Sequence, residues 1–196
     1  MDQLWTPWRY QYVTGKESKP SKPSRRGVPE ELSEWPGPDT GCVFCNLIQS
    51  VTWAGQSGAE QQIAAEKAGL IVARLTHCYL CLNRYPYSTG HVMVVPYQHI
   101  DSLAKLPAAA AEEMMRITQS VETVLRAVYT PDGINLGMNL GQAAGAGVAE
   151  HIHLHVLPRW FGDTNFMSVT AETRVLPETL DITWERLQSA FSSALL

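Results

Sequence analysis

The stretch Ala149–Trp160, AEHIHLHVLPRW, holds three of the chain's six histidines, at His151, His153 and His155. Side chains alternate faces along a strand. A strand over His151–Pro158 therefore puts the three imidazoles on one face and Ile152, Leu154 and Val156 on the other. The apolar row belongs against a core and the imidazole row faces a site. A lone histidine is most simply a satisfied structural residue, but three in register on one face point to chemistry.

Immediately upstream, GQAAGAGVAE (141–150) is glycine-rich, and Gly141, Gly145 and Gly147 let backbone N–H groups approach and surround an anion. Before it, INLGMNL (134–140) reads as a strand. The preceding AAAAEEMMRITQSVETVLRAVY (108–129) spaces Met114, Ile117, Val121, Val124 and Val128 by three and four, the stripe of an amphipathic helix. Further back, AGLIVARL, CYLCLNRY and HVMVVP read as strands from their β-branched and aromatic content, with YPYSTG as the turn before the third. GCVFCNLI (41–48) opens the body, and TWERLQSAFSSALL (183–196) closes the chain as one more helix. Because the strands cluster instead of alternating with helices, the expected class is α+β. It comprises an antiparallel sheet of about five strands, one long helix and a C-terminal helix.

Residues 1–40 read differently. Thr14–Thr40 is rich in Pro, Ser, Lys and Arg without either period, which suits an extended arm or insertion. Ahead of it, Trp5, Trp8, Tyr10 and Tyr12 are too many large aromatics for a free tail, so this piece is expected to pack on the body or on a second subunit.

At 196 residues, 45% hydrophobic, 17% charged and net charge -4, the chain fits one globular domain with no basic field for a nucleic-acid polymer. No apolar run is long enough to span a bilayer, and the N-terminus lacks the basic-then-apolar order of a signal peptide. The expectations are a cytoplasmic location, no membrane partner, and four cysteines that serve as thiols or metal ligands rather than disulfides.

Two chemistries fit the imidazole row. One is a metal site using several of the rings, although a catalytic metal ordinarily needs a further carboxylate or histidine and only Glu150 is near. The other is a nucleophilic histidine beside a phosphoryl group held by the glycine-rich loop.

HIHLHVLP, together with NRYPYSTGHVMVVPYQHI and NLGMNLGQAAGAG in that order, resembles the histidine triad (HIT) family of nucleotide-binding hydrolases and transferases. That resemblance spans roughly residues 42–160 and implies a HIT-like domain over 41–196 with a C-terminal extension. It also implies a nucleotidyl-histidine mechanism, with His153 attacking an α-phosphate and His155 stabilising its oxygens. A carbonyl of the preceding loop would fix the nucleophile's tautomer. By the same carry-over Asn139 would hydrogen-bond phosphate, Asn83 would lie at the ribose and base, and His91 would brace the site. Cys42 and Cys45, with His99 and His151, would complete a structural zinc site, and no organic cofactor is expected. Cys78 and Cys81, three apart in a strand, face opposite sides and read as packing residues. His77 has no assigned role.

The chain also departs from the family's pattern. Most histidine triad hydrolases carry a Gln and a Ser or Thr shortly before the triad, whereas this chain has GAGVAE at 145–150. Backbone N–H groups at Gly145 and Gly147 would then take more of the anion binding. This loop, the N-terminal LWTPWRYQYV and HVLPRW resemble the branch of the family that splits diadenosine tetraphosphate with inorganic phosphate as second acceptor. In that reading Arg159 would attract phosphate and Trp160 would shape the leaving-nucleotide pocket. The partners implied are a small adenine dinucleoside polyphosphate, inorganic phosphate and a second copy in a homodimer. Two alternatives stay open: a hydrolase of dinucleoside polyphosphates or phosphoramidates, and a zinc-stabilised module that binds nucleotides without turning them over.

Overall fold

The computed structural model describes residues 25–164 and 176–194. Trp5, Trp8, Tyr10 and Tyr12 lie outside the described residues. Among the described residues, four α-helices and five strands follow in the order α1 (Val43–Gly55), α2 (Ala59–Ala68), β1 (Ile71–Arg74), β2 (Cys78–Leu82), β3 (Val92–Pro96), α3 (Ala108–Tyr129), β4 (Gly133–Gly137), β5 (Leu154–Arg159) and α4 (Leu180–Ala194). The strands form one antiparallel sheet in the order β1-β2-β3-β5-β4. This is the expected α+β architecture, with two helices, α1 and α2, that the sequence reading did not assign.

Alternation along the strands divides the core into two layers. On one face Val72, Leu80, Val92, Val94, Ile152 and Val156 meet Met114, Ile117, Val121 and Leu125 of α3 and Trp184, Leu187 and Phe191 of α4. On the other, Ile71, Tyr79, Cys81, Met93 and Val95 meet Phe44, Cys45, Ile48 and Val51 of α1. Cys78 and Cys81 fall in different layers, as expected for strand positions three apart. The predicted stripe of α3 is buried at four positions, and Val128 packs against the same core half-buried.

The histidine strand starts later than expected. Regular ladder pairing begins at Leu154, because β3 pairs with β5 only from Val94 opposite Leu154 to Val92 opposite Val156. The chain just before Leu154 is nonetheless tied to the body, with Ile152 N–H donating to the Ile100 carbonyl at 2.8 Å. Face alternation therefore continues through the segment, with Ile152 in the α3 layer and the imidazoles on the α1 side.

Of the segment read as an arm, residues 25–40 lie against the body. Leu32 and Trp35 are buried, and Leu32 joins the α1 layer. Asn46 of α1, fully buried, fastens this segment. Its amide donates to the Arg26 carbonyl at 2.9 Å and to Asp39 at 2.7 Å, and its oxygen accepts from the Thr40 N–H and hydroxyl.

Candidate active site

Three imidazoles in one strand segment acquire three different environments. His151 is buried beside the first turn of α1. Its Nε2–H donates to the Pro96 carbonyl at 2.9 Å, which leaves Nδ1 directed at Cys42 Sγ (3.4 Å) and Cys45 Sγ (3.6 Å). Cys45 Sγ is also 3.4 Å from Nδ1 of His99. The donor atoms of Cys42, Cys45, His99 and His151 all lie within 4.8 Å of one another.

Zinc bound tetrahedrally, at about 2.3 Å from sulfur and about 2.0 Å from nitrogen, sets sulfur and nitrogen ligands about 3.5 Å apart, and the spacing here fits. The Pro96 carbonyl orients His151 as an outer partner of a metal ligand would. Burial depresses the His151 pKa to about 4, with a raising contribution from the Pro96 hydrogen bond, so the ring is neutral and its lone pair available. Burial and then Cys42 push the Cys45 thiol up to about 12, a cost that a bound cation would reverse by favouring thiolate. Four protein ligands leave no open position for a reacting water, which suits a structural ion.

His153 points elsewhere. Its Nδ1–H donates to the His151 carbonyl at 2.9 Å, so Nε2 is the ring nitrogen with the free lone pair. The tautomer is thus fixed from within the histidine segment, and not by a carbonyl of the preceding loop. Phe44 of α1 packs 4.9 Å from this ring, and burial lowers the His153 pKa and keeps it neutral.

His155 is tied into a chain of hydrogen bonds. The Tyr87 N–H donates to His91 Nδ1 at 3.1 Å, so the His91 proton resides on Nε2 and is directed at His155 Nδ1, 2.9 Å away. With its Nδ1 accepting, neutral His155 carries its own proton on Nε2, the donor an anionic oxygen would need.

His153 and His155 line a cavity of about 420 Å³ together with Asn83, Asn139, Gly145 and Gly147. His91 braces it from behind, and Asn83 reaches His91 Nδ1 at 3.5 Å. Gly145, at φ +86, ends a short turn over Gln142–Ala144 in a conformation that side chains disfavour. Leu47, Leu70 and Met93 supply apolar wall, and Tyr85 and Tyr87 supply aromatic wall.

Trp160 and Arg159 do not line this cavity. Arg159 and Trp160 lie four and five residues past His155, and a strand advances about 3.3 Å per residue, so they are about 13–17 Å from it along the chain. Trp160 packs edge-on against Tyr129 at 6.4 Å, and the Arg159 guanidinium is engaged with Asp163. Conversely, Arg25, Arg26, Val28 and Val43 line the cavity although nothing in their spacing marked them. They reach it only through the fold of the 25–40 segment over α1.

The HIT domain family model matches residues 64–162 of this chain, a span that includes every triad residue and both flanking motifs. The chain belongs to the HIT family. Among its relatives, the AP-4-A phosphorylase of Mycobacterium tuberculosis is 35% identical over 180 residues, covering 92% of this chain and 79% of that one. An uncharacterized HIT-like protein of Saccharolobus solfataricus is 24% identical over 64% of this chain and 79% of its own. Among solved structures, a Zn-bound histidine triad family protein from Mycobacterium smegmatis aligns with TM-score 0.57 and 27% identity over 78% of this chain and 94% of that chain. A hypothetical histidine triad nucleotide-binding protein from Sulfolobus tokodaii shares the HIT fold at the same TM-score of 0.57 and 22% identity over 78% of this chain and 93% of that chain. Among the described residues, no helix of this HIT protein is long and apolar enough to cross a membrane.

Proposed function

We propose that this chain cleaves diadenosine polyphosphates through a nucleotidyl-histidine intermediate, with inorganic phosphate as the second acceptor. The observation that carries the reading is the hydrogen bond from His153 Nδ1 to the His151 carbonyl. It leaves Nε2 of a neutral, cavity-lining imidazole as the nucleophile, with the Nε2–H of His155 beside it on the same wall.

In the first step Nε2 of His153 bonds to the α-phosphorus and the P–O bond to the leaving polyphosphate breaks, releasing ATP from diadenosine tetraphosphate. Covalent catalysis of this kind divides one hard displacement into two easier ones. Charge developing on the α-phosphate oxygens meets the His155 donor, the Asn139 amide and the Gly145–Gly147 backbone. In the second step a phosphate oxygen attacks the same phosphorus, the P–N bond breaks, and ADP leaves. Cys42, Cys45, His99 and His151 would hold a zinc ion that fixes α1 against the histidine segment and takes no part in either displacement.

Phosphate as acceptor is supported by the relative named AP-4-A phosphorylase at 35% identity. It is also supported by the lack of a hydroxyl or amide side chain over residues 145–150 to place a water. A homodimer is part of the reading. β4 is an edge strand with Leu136 and nearby Leu140 exposed, a ready surface for a second copy. Four unpaired cysteines suit the cytoplasm.

The test is incubation with diadenosine tetraphosphate, with and without phosphate. Phosphate-dependent formation of ADP and ATP is expected, and AMP plus ATP formed regardless of phosphate would replace phosphorolysis with hydrolysis. His153→Ala should abolish AMP trapped on the protein after alkaline quench.

A further inference from the structure

The cavity wall has a charge pattern that the two histidines do not require. Arg25, Arg26 and Arg84 line it and, among the described residues, no carboxylate does, although the chain as a whole carries a net charge of -4. A cleft lined by one sign of charge concentrates ligands of the other.

The three guanidinium groups have different employment. Arg25 donates to the carbonyls of Trp35 and Gly37 and lies 5.2 Å from the Trp35 ring, which makes it a brace of its own segment. Arg84 donates to the Ala68 carbonyl at 3.4 Å. Arg26 is exposed, and its side chain has no ion-pair or hydrogen-bond partner among the described residues.

The backbone at Arg26 is nevertheless held. Its carbonyl accepts from the fully buried Asn46 amide at 2.9 Å. The next residue, Gly27, has φ +88, and a Cβ there would fall 2.1 Å from the Val43 carbonyl, so only glycine lets the segment press this closely on α1. A fixed backbone that carries, at a cavity, a guanidinium unpaired among the described residues is the arrangement of a ligand-reading residue: part of the ordering cost of binding, that of the backbone, is already met by the fold.

Burial orders the two ends of the cavity. The phosphorus that is attacked must sit at His153 and His155, which are only 5% and 8% exposed. A longer phosphate chain has to run outward from there, toward the exposed part of the lining, which includes Arg26 and Arg84.

We infer that Arg26 is a specificity-determining residue that engages the phosphates of the leaving group, so that the site favours nucleotides joined by long phosphate chains. The inference rests on the nucleotidyl-transfer reading above. Guanidinium groups match phosphate oxygens with paired, charge-assisted hydrogen bonds, and the contact would be lost once the polyphosphate departs.

The experiment compares diadenosine tetraphosphate with adenosine 5′-phosphorimidazolide, an AMP donor whose leaving group has no phosphate, in the full chain and its Arg26→Ala and Arg26→Lys variants. The readout is the ratio of kcat/KM for the tetraphosphate to that for the imidazolide. Arg26→Ala should lower this ratio by roughly tenfold to a hundredfold, the range lost with a charge-assisted hydrogen bond, and Arg26→Lys should fall between. An unchanged ratio, whether both substrates suffer equally or neither does, overturns the inference while leaving the transfer reading intact. If the parent chain forms no AMP–protein adduct from either substrate, the transfer reading itself fails and takes the inference with it.

Discussion

His91 Nε2 lies 2.9 Å from His155 Nδ1, and the Tyr87 N–H fixes the direction of that bond by donating to the other nitrogen of His91. A backbone amide thereby determines, through two imidazoles, which nitrogen of His155 presents a proton to the cavity. On the proposed reading, His91 acts through His155 without touching substrate.

His91→Ala should therefore lower kcat by about tenfold to a hundredfold, the cost of misplacing one donor to a developing phosphoryl charge. KM should move much less, because the loss is of an interaction realised in the transition state. Steady-state kinetics on diadenosine tetraphosphate would decide this. A rise in KM at constant kcat would instead make His91 part of ordinary substrate binding.

Metal removal follows from the donor set of Cys42, Cys45, His99 and His151. Elemental analysis should return one zinc per chain and none for Cys45→Ser. An ion held at a thousandfold above its Kd stabilises by about 4 kcal/mol, which for a chain of this size corresponds to a fall in Tm of about 8–16 °C when it is lost. Chelation that abolished turnover without lowering Tm would place the ion in the chemistry rather than in the frame.

The sheet and α3 were legible because their periods were clean: Met114, Ile117, Val121 and Val124 reach the core as spaced. α1 was harder to see. Val43, Ile48, Val51 and Thr52 are β-branched and weak helix formers, which masks the recurrence of Phe44, Ile48 and Val51 by four and three. α2 has the opposite character, strong helix formers with Ala65 as its one buried residue, so propensity rather than periodicity marks it. The imidazoles were readable as one site-facing row because all three share one local segment. Arg26 and Phe44 were not, since their place at the cavity depends on contacts such as Asn46 with Arg26, across 20 residues of chain. Trp160 shows the converse: adjacency in sequence along a strand is distance in space.

Glu113 anchors the frame from the opposite layer. It is buried in α3, and its carboxylate accepts from the backbone N–H groups of Thr76 (3.3 Å), His77 (2.6 Å) and Cys78 (2.8 Å) where β2 begins. Glu113→Ala strands these donors in a buried setting and should cost about 2–3 kcal/mol, whereas Glu113→Gln keeps one accepting oxygen and should cost less. Urea unfolding would measure both. A loss for Glu113→Ala with no loss at all for the equally large Gln would mean that side-chain volume, not hydrogen bonding to the carboxylate, sets the effect.

Asp163 couples stability to pH. It holds Arg159 through Nε at 2.5 Å and Nη2 at 2.8 Å, and Arg159 in turn donates to Asn135 of β4 at 2.9 Å. The hydrogen-bonded Arg159 keeps the Asp163 pKa far below the ordinary carboxylate range, against a smaller opposing contribution from burial. In the unfolded chain this carboxylate takes up its proton near pH 3.9, while the folded chain resists doing so. The stabilisation is therefore complete above that pH and is lost as pH falls from there toward the folded pKa. Arg159 is 43% exposed, so solvent screening holds the effect to at most about 1 kcal/mol. Asp163→Asn should accordingly lower Tm by a few degrees at pH 7, and the gap should narrow steadily below about pH 4. Thermal melts of both proteins across pH 3–7 give the comparison. A gap that stayed constant over that range would assign the loss to geometry at the end of β5 rather than to charge.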